Sequence, residues 1–422
     1  MNNSNENTQI DNSNDNAKID NPNDNSQVNN SNDDSQVNNS KDNTNTNSFE
    51  ADRTLASIVR IDNILPIPDA DKIEIAEVKG WKCVVVKDSF KVGDLAVYYC
   101  EDSIPNLEDP NLEFLKNRGI KRIKIMKIRG IYSQGLLGPL TWMNGKVPDI
   151  TLLKENDDVT KILQVKKYVK PEEIEQYMWP RGTKQLSELT EYFPAYVPKT
   201  DEERLQNNLD FLNKILNREI VITRKEDGCS GTFAFYNGKF SVCGRNFTWL
   251  EGNVNSSHYF HVEKIYDIKV KMETYGKNIA LQGEIIGPKI NGNKMGLTHI
   301  DYEVFNIYDI DSRKYLSYDE VTEVCNIFGI KQVPLLFRGP SCDLQLQIDS
   351  ETVTFGDLSR DMNSNIKKIL QGFLNMSNNL EYTTANYQTT PAEGLVVKTN
   401  DNLSHRVSFK VISQKFTLKY DK

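Results

Sequence analysis

The sequence is poor in the residues that build metal or disulfide frameworks. Its six cysteines, at 83, 100, 229, 243, 325 and 342, form no C-x-x-C pair, and the four histidines do not stand near them in a zinc-site spacing. Buried free thiols are the simpler expectation. No apolar run reaches the length of a membrane span, and the N-terminus lacks a secretory apolar core, so a soluble, intracellular chain is expected. No G-x-x-x-x-G-K-[ST] loop occurs, which excludes that way of cradling a phosphate. A surplus of one charge is missing too, once the chain is divided. Of the net charge of −8, residues 1–50 supply −7 through nine acids and two bases, leaving the remainder at −1. Any polyanion site must therefore be a local patch.

The first glycine is Gly80, so the four nonapeptide repeats over residues 3–38 (NSNENTQID and its variants) have none for tight turns. Each repeat offers one aliphatic side chain to a core, too little to offset its ordering entropy. Residues 1–50 read as a disordered tail. From 51 to 165 the text turns to short β-like runs, Thr54–Ile61, Ile73–Val78, Trp81–Val86 and Leu95–Tyr99, separated by Gly/Asp/Pro turns, which suggests a small barrel. Residues 141–199, with Pro171, Pro180, Pro194 and Pro198, read as a connection and domain edge.

Thr200 followed by three acids predicts a helix start, and Leu205, Leu209, Leu212 and Leu216 would form its buried stripe. Strands are expected at Glu219–Arg224, Thr232–Tyr236, Phe240–Cys243, Ile279–Ile286, Tyr302–Tyr308, Gly394–Lys398 and Arg406–Ile412, with Asn237-Gly238 as a hairpin turn. Helices are expected at Tyr318–Phe328, closed by Gly329, and around Asp357–Met376. Strands and helices alternate without a βαβ rhythm, which predicts an α+β domain over 166–422.

Chemistry concentrates at Lys225-x-Asp227-Gly228. Residues two apart on an extended segment project to one side, so an amine and a carboxylate can share a pocket, and the glycine would let the backbone turn beside a ligand. A lysine amine attacks only when its surroundings favour the neutral form, which a nearby cation promotes and a carboxylate opposes. Four residues alone carry little weight, and an exposed lysine in a turn is the plain alternative. Other polar residues set into apolar strands add to it: Arg245, Glu284 in LQGEIIG, Glu393-Gly394 before LVVK, and Lys410 in VSFKVIS. Charges embedded this way are costly unless they face a ligand, a metal or each other.

In this order, with Phe305 in YEVFNIYD, the motifs resemble those of the covalent nucleotidyltransferases: DNA ligases, RNA ligases and mRNA capping enzymes. PKTDEERLQN at 198–207 resembles the RNA ligases in particular. PIPDADKIEIAEVKGWKCVVVK, KVGD and IRGIYSQGL resemble the OB domain that precedes the catalytic domain in one RNA ligase group. The resemblance covers residues 51–422 and implies an ATP-dependent enzyme. Lys225 would take AMP from the ATP α-phosphate, and Asp227, Glu284 and Glu393 would place the Mg²⁺ (or Mn²⁺) shell and the sugar beside Gly228. Phe305 would stack on adenine, Lys410 would contact the α-phosphate, and Arg204 and Arg245 would address phosphates of ATP or of the RNA end. Cys229 stands where serine is common, leaving room for redox sensitivity. The last motif often has two lysines one residue apart, and here only Lys410 is evident.

RNA is the expected partner, as a nicked duplex or broken ends, bound by a monomer away from membranes. Lys116, Arg118, Lys121, Arg122, Lys124, Lys127 and Arg129 fall within an acid-free stretch of 14 residues. Arg122 and Lys124 share one strand parity, Lys127 and Arg129 the other. A bulge near Met126 would gather them into a strip for a phosphate backbone, with Ile123 and Ile125 buried behind. A solvated charged strand is the plain alternative. A capping guanylyltransferase or DNA ligase is disfavoured, because those enzymes usually place the OB domain last and only twelve residues follow Lys410. A non-catalytic RNA binder is the third reading, opposed by the retained Lys225, Asp227, Glu284 and Glu393.

Overall fold

The structure, a computed structural model, describes residues 54–168, 190–252, 256–384, 386–400 and 406–420, together with the two-residue strand Ser48–Phe49. The repeats, Pro171 and Pro180 lie outside the described residues. Of the tail expected over 1–50, Ser48–Phe49 is described, and it pairs antiparallel with Lys166–Tyr168, which in turn pairs with Ser103–Ile104.

The first part of the chain is built from short strands, as the turn spacing predicts. Ala56–Arg60, Leu95–Tyr99 and Leu136–Pro139 form one small sheet, and Asn63–Pro66, Ile73–Val78 and Trp81–Val86 another. Their apolar faces close over Val59, Ile61, Val78, Trp81 and Tyr98, while a second cluster holds Ile58, Val97, Tyr99 and Leu115. This is the OB-fold domain.

Two larger sheets follow. One has five strands in the order Glu203–Arg204, Ser408–Ile412, Gly394–Thr399, Glu219–Lys225, Leu335–Pro340. The other runs Thr190–Tyr192, Phe247–Trp249, Lys239–Cys243, Cys229–Tyr236, Ile279–Ile286, Asp301–Asp309, Lys314–Tyr315, with Lys331–Gln332 parallel to Asp301–Asp309. Alternation decides what each face does. In the first sheet Ile220, Ile222, Leu395, Val397, Phe409 and Val411 pack on the helix Met362–Asn378 through Ile369, Leu370 and Phe373. Their neighbours of opposite parity, Thr223, Lys225, Val396, Lys398 and Lys410, line a cleft on the other face. The second sheet packs Phe233, Leu281, Ile285, Val304 and Ile307 against helices Ser257–Tyr266, Ile268–Tyr275 and Tyr318–Phe328, and turns Ser230, Glu284 and Phe305 into the same cleft.

The helix expected to open at Thr200 is not formed. Glu203–Arg204 is a two-residue strand, followed by a 3-10 turn at Leu205–Asn207 and a short helix at Phe211–Ile215. The acids read as partners of a helix dipole have other partners: Asp201 pairs with Arg245 and Glu202 with Arg406, while Arg204 joins a parallel ladder beside Lys410. Leu205 and Leu212 are still buried, so the apolar stripe marks burial without a helix. The helix Tyr318–Phe328 forms as expected, with a Ser317/Glu320 capping box and Gly329 in the left-handed region at its end.

Candidate active site

The cleft encloses about 250 Å³ between the two sheets. Lys225 ends a strand of the first sheet, and Cys229 begins a strand of the second. Glu226, Asp227 and Gly228 are therefore the crossing from one sheet to the other. Gly228 is needed for close approach, not for a turn as the sequence suggests. A Cβ there would stand 2.1 Å from the carbonyl oxygen of Ile285, while its N–H donates to Glu284 Oε1 at 3.1 Å.

The structure brings Lys225, Asp227, Gly228, Arg245, Glu284, Phe305, Glu393 and Lys410 into this one cleft. Lys225 Nζ donates to Glu393 Oε2 at 2.6 Å. The hydroxyl of Tyr382 donates to the carbonyl of Lys225 at 2.9 Å and accepts the N–H of Glu393 at 3.1 Å, fixing the two motifs to each other. Arg245 Nη2 donates to Asp201 Oδ1 at 2.7 Å at the rim. Phe305 is half-buried along one wall.

Electrostatics follow from this crowding. Burial alone would lower the Lys225 ammonium, but the carboxylates of Glu393 and then Glu284 outweigh it and raise it above the ordinary lysine range. Burial pushes Glu284 up to about 8, Lys225 opposing and Glu393 and Asp227 adding to the rise. Asp227 is raised to about 6 by burial and by Glu393. Lys410 is lowered to about 8 by burial, then by Lys225 and Arg204. This crowding favours the charged amine of Lys225 and the protonated forms of Asp227 and Glu284, and a cation among the acids would reverse both tendencies. Cys229 is pushed well up by burial and then by Glu284, so its thiol is not primed for oxidation.

The structure also places residues that the sequence did not single out. Asp227 accepts from Asn291 Nδ2 at 2.5 Å and from Lys294 Nζ at 2.7 Å, both in the loop after Ile286. Lys398 lines the cleft, donating to the carbonyl of Phe305 at 2.8 Å and to Asn306 Oδ1 at 2.9 Å. Lys398 had a readable signal: it ends the apolar run after Glu393-Gly394 with the parity of Val396. The Asn291–Lys294 loop has no periodicity to read.

Arg204 is not among the residues lining the cleft. Its guanidinium pairs with Glu101 of the OB-fold domain, Nη1 to Oε2 at 2.8 Å, and lies 5.7 Å from the ring of Trp81. The basic strip is also rearranged. Only Met126–Ile128 of it is a strand, so the parity expected over 122–129 does not apply. Arg122 is buried, paired with Asp102 and stacked at 3.7 Å on Tyr168, while Lys121, Lys127 and Arg129 are exposed and Lys124 half-exposed. Arg129 occupies the turn of a hairpin with Ile131–Ser133, and Lys127 Nζ stands 5.3 Å over the ring of Tyr132 on the partner strand.

A small OB barrel ahead of a two-sheet domain, with a lysine at the crossing between the sheets, defines the class: a covalent nucleotidyltransferase with its OB domain in front. The RNA ligase family matches residues 218–412, and an OB-fold domain family matches residues 55–140. Among solved structures, a Naegleria gruberi RNA ligase variant without ligand is 30% identical, covering 87% of this chain and 98% of that one at a TM-score of 0.67. A variant of the same Naegleria gruberi enzyme with ATP and Mn is 28% identical over 88% and 100% of the two chains, TM-score 0.69. Another with AMP and Mn is 28% identical over 87% and 99%, TM-score 0.67. Among curated proteins none matches the chain. The chain belongs to the RNA ligase family.

Proposed function

We propose that the chain is an ATP-dependent RNA ligase that carries AMP on Lys225 and seals 3′-hydroxyl to 5′-phosphate ends, at nicks in duplexes. The observation that carries this reading is the position of one amine. Lys225 Nζ stands at the crossing between two sheets, 2.6 Å from Glu393, in a cleft shared with Asp227, Glu284 and Lys410. Naegleria gruberi RNA ligase, solved with ATP and Mn, supports the choice of ATP and a divalent metal.

In the first step Lys225 Nζ forms a bond to the α-phosphorus, the bond to the bridging oxygen breaks, and pyrophosphate leaves as the amine gives up its proton. Lys410 meets the charge that builds on the α-phosphate. Phe305 offers its face to adenine. AMP then passes to the RNA 5′-phosphate, and the 3′-hydroxyl oxygen displaces it.

The acids Asp227, Glu284 and Glu393 suit a hard dication, since Asp227 feels the charge of Glu393, and Glu284 that of Glu393 and Asp227. Among the described residues no three His, Cys, Asp or Glu side chains are disposed to ligate one ion directly. They would therefore hold Mg²⁺ through its retained waters, as that ion prefers. When bound, the ion offsets carboxylate and phosphate charge and so favours the neutral amine.

Lys121, Lys124, Lys127 and Arg129 in the barrel, with Arg245 at the cleft rim, would contact RNA phosphates. We assign RNA binding to the barrel up to about residue 165 and adenylylation to the rest, in a monomer. All six cysteines are free, which supports a reducing intracellular compartment. Among the described residues no helix is long and apolar enough to cross a membrane.

The test is to incubate the protein with α-labelled ATP or GTP and Mg²⁺ and to look for label on the denatured chain. Label from ATP that disappears in Lys225→Ala is the expected result. Label from GTP would point to capping, and none from either would leave an RNA binder.

A further inference from the structure

Between the OB-fold domain and the catalytic sheets runs a buried chain of polar side chains. Arg204 Nη1 donates to Glu101 Oε2 at 2.8 Å, Gln134 Nε2 donates to Glu101 Oε1 at 3.1 Å, and Gln414 Nε2 donates to Gln134 Oε1 at 2.7 Å. Glu101, Gln134 and Gln414 are all buried, and the Arg204 side chain is only 17% exposed. The two ends of the chain meet one strand, Arg204 beside it and Gln414 just past its C-terminal end. Arg204 is the ladder neighbour of Lys410 on Ser408–Ile412, and Gln414 opens the helix Gln414–Tyr420 just after that strand. Glu101 and Gln134, both inside the stretch matched by the OB-fold family, thus reach one flank and the C-terminal end of the strand that presents Lys410 to the cleft.

The contact is built for permanence. The N–H of Gly80 donates to the carbonyl of Gln206 at 3.1 Å, and a Cβ on Gly80 would stand 2.7 Å from the Cα of Gln206. The Trp81 ring lies beside the Arg204 guanidinium, and Lys367 on the long helix pairs with Asp62 of the barrel at 3.0 Å. A guanidinium this deep needs its carboxylate. Burial alone would lower Arg204, and Glu101 more than offsets it. Left without Glu101, the same charge would press on Lys410, which Arg204 already lowers.

We propose that Glu101 is a positioning residue for adenylyl transfer: from the OB-fold domain it anchors Arg204 along one flank of the strand that carries Lys410 and, through Gln134 and Gln414, holds that strand's C-terminal end. Arg204 then acts by holding the strand, and it does not touch the nucleotide. The inference rests on the ligase reading above. Failure of that reading shows as no label on the wild-type chain, whereas failure of this one shows as label in the wild type with no change in the variants.

The experiment follows self-adenylylation of the full chain under single-turnover conditions across a range of ATP concentrations. Glu101→Gln keeps the shape and strands the Arg204 charge. Its rate constant is expected to fall by about tenfold or more, with half-saturating ATP shifted by less than about threefold, because ground-state contacts to ATP are untouched. Adding Arg204→Met to Glu101→Gln removes the stranded charge and is expected to recover at least about threefold of the loss, as neutral replacement of buried pairs commonly does. A wild-type rate in Glu101→Gln, or a double variant no faster than the single one, overturns the proposal. Melting curves report whether each variant folds. Should Glu101→Gln not fold, Gln414→Leu cuts the chain of contacts without stranding a charge. Slower label transfer at unchanged half-saturating ATP then supports the proposal, and a wild-type rate overturns it.

Discussion

Lys398 brings an ammonium group into a place where charge is expensive. Burial, followed by Arg406, pushes it down to about 7, well below an unfolded lysine. Between that value and the ordinary lysine range the unfolded chain binds the extra proton, so this residue's unfavourable contribution is full near neutrality and fades as pH rises. Lys398→Met should therefore stabilise the fold at pH 6–7, by an amount on the order of a few kcal/mol. The gain should shrink toward pH 10, as read from denaturant midpoints. A gain independent of pH would show that packing, not charge, is responsible. The same variant should raise half-saturating ATP, because the side chain lines the cleft against Phe305. Lys225, Asp227, Glu284, Glu393 and Lys410 were readable in the sequence because a charge inside an apolar strand has to face something. Asn291 and Lys294 were not, since an irregular loop gives no parity from which to infer direction. Arg204 was misplaced for a related reason: a basic residue in a motif does not say which side of its strand holds the acid.

Among the elements, the three-residue crossing from Lys225 to Cys229 is the most constrained. Gly228→Ala would drive a methyl group into the Ile285 carbonyl, a backbone atom that cannot step aside as a side chain can. The crossing would have to shift, and a displacement near 1 Å at a reacting group costs about a hundredfold in rate. Self-adenylylation measured by intact-mass spectrometry should fall by that order while the melting temperature drops by only a few degrees. A variant that labels normally would mean the crossing can relax. Gly394 is held in the same way, with φ of +153° and Val411 O 2.2 Å from where a Cβ would lie. Strands were legible from alternation, often to the residue: Ile73–Val78, Trp81–Val86, Leu95–Tyr99 and Ile279–Ile286 stand where the pattern puts them. The helix after Thr200 was not, because Leu205 and Leu212 are buried as expected while Asp201 and Glu202 pair with Arg245 and Arg406, far along the chain. Such long-range ion pairs have no local sequence signature.

On the scale of the whole molecule, two parts share the work unequally. None of the barrel's surface bases lines the cleft that holds the amine, so neutralising Lys121, Lys124, Lys127 and Arg129 together should weaken sealing of a nicked duplex and leave label transfer from ATP intact. Equal loss of both would show that this surface belongs to the catalytic step. Arg122 does not belong in that set, since it is buried against Asp102 and Tyr168. The order of the parts was legible from motif order, but their coupling was not: Glu101 and Gln414 are more than three hundred positions apart and are joined through Gln134. The lysine crossing carries a last implication. Because one short span both bears the amine and ties the two sheets, any breathing of the sheets also changes the distance from that amine to Glu284.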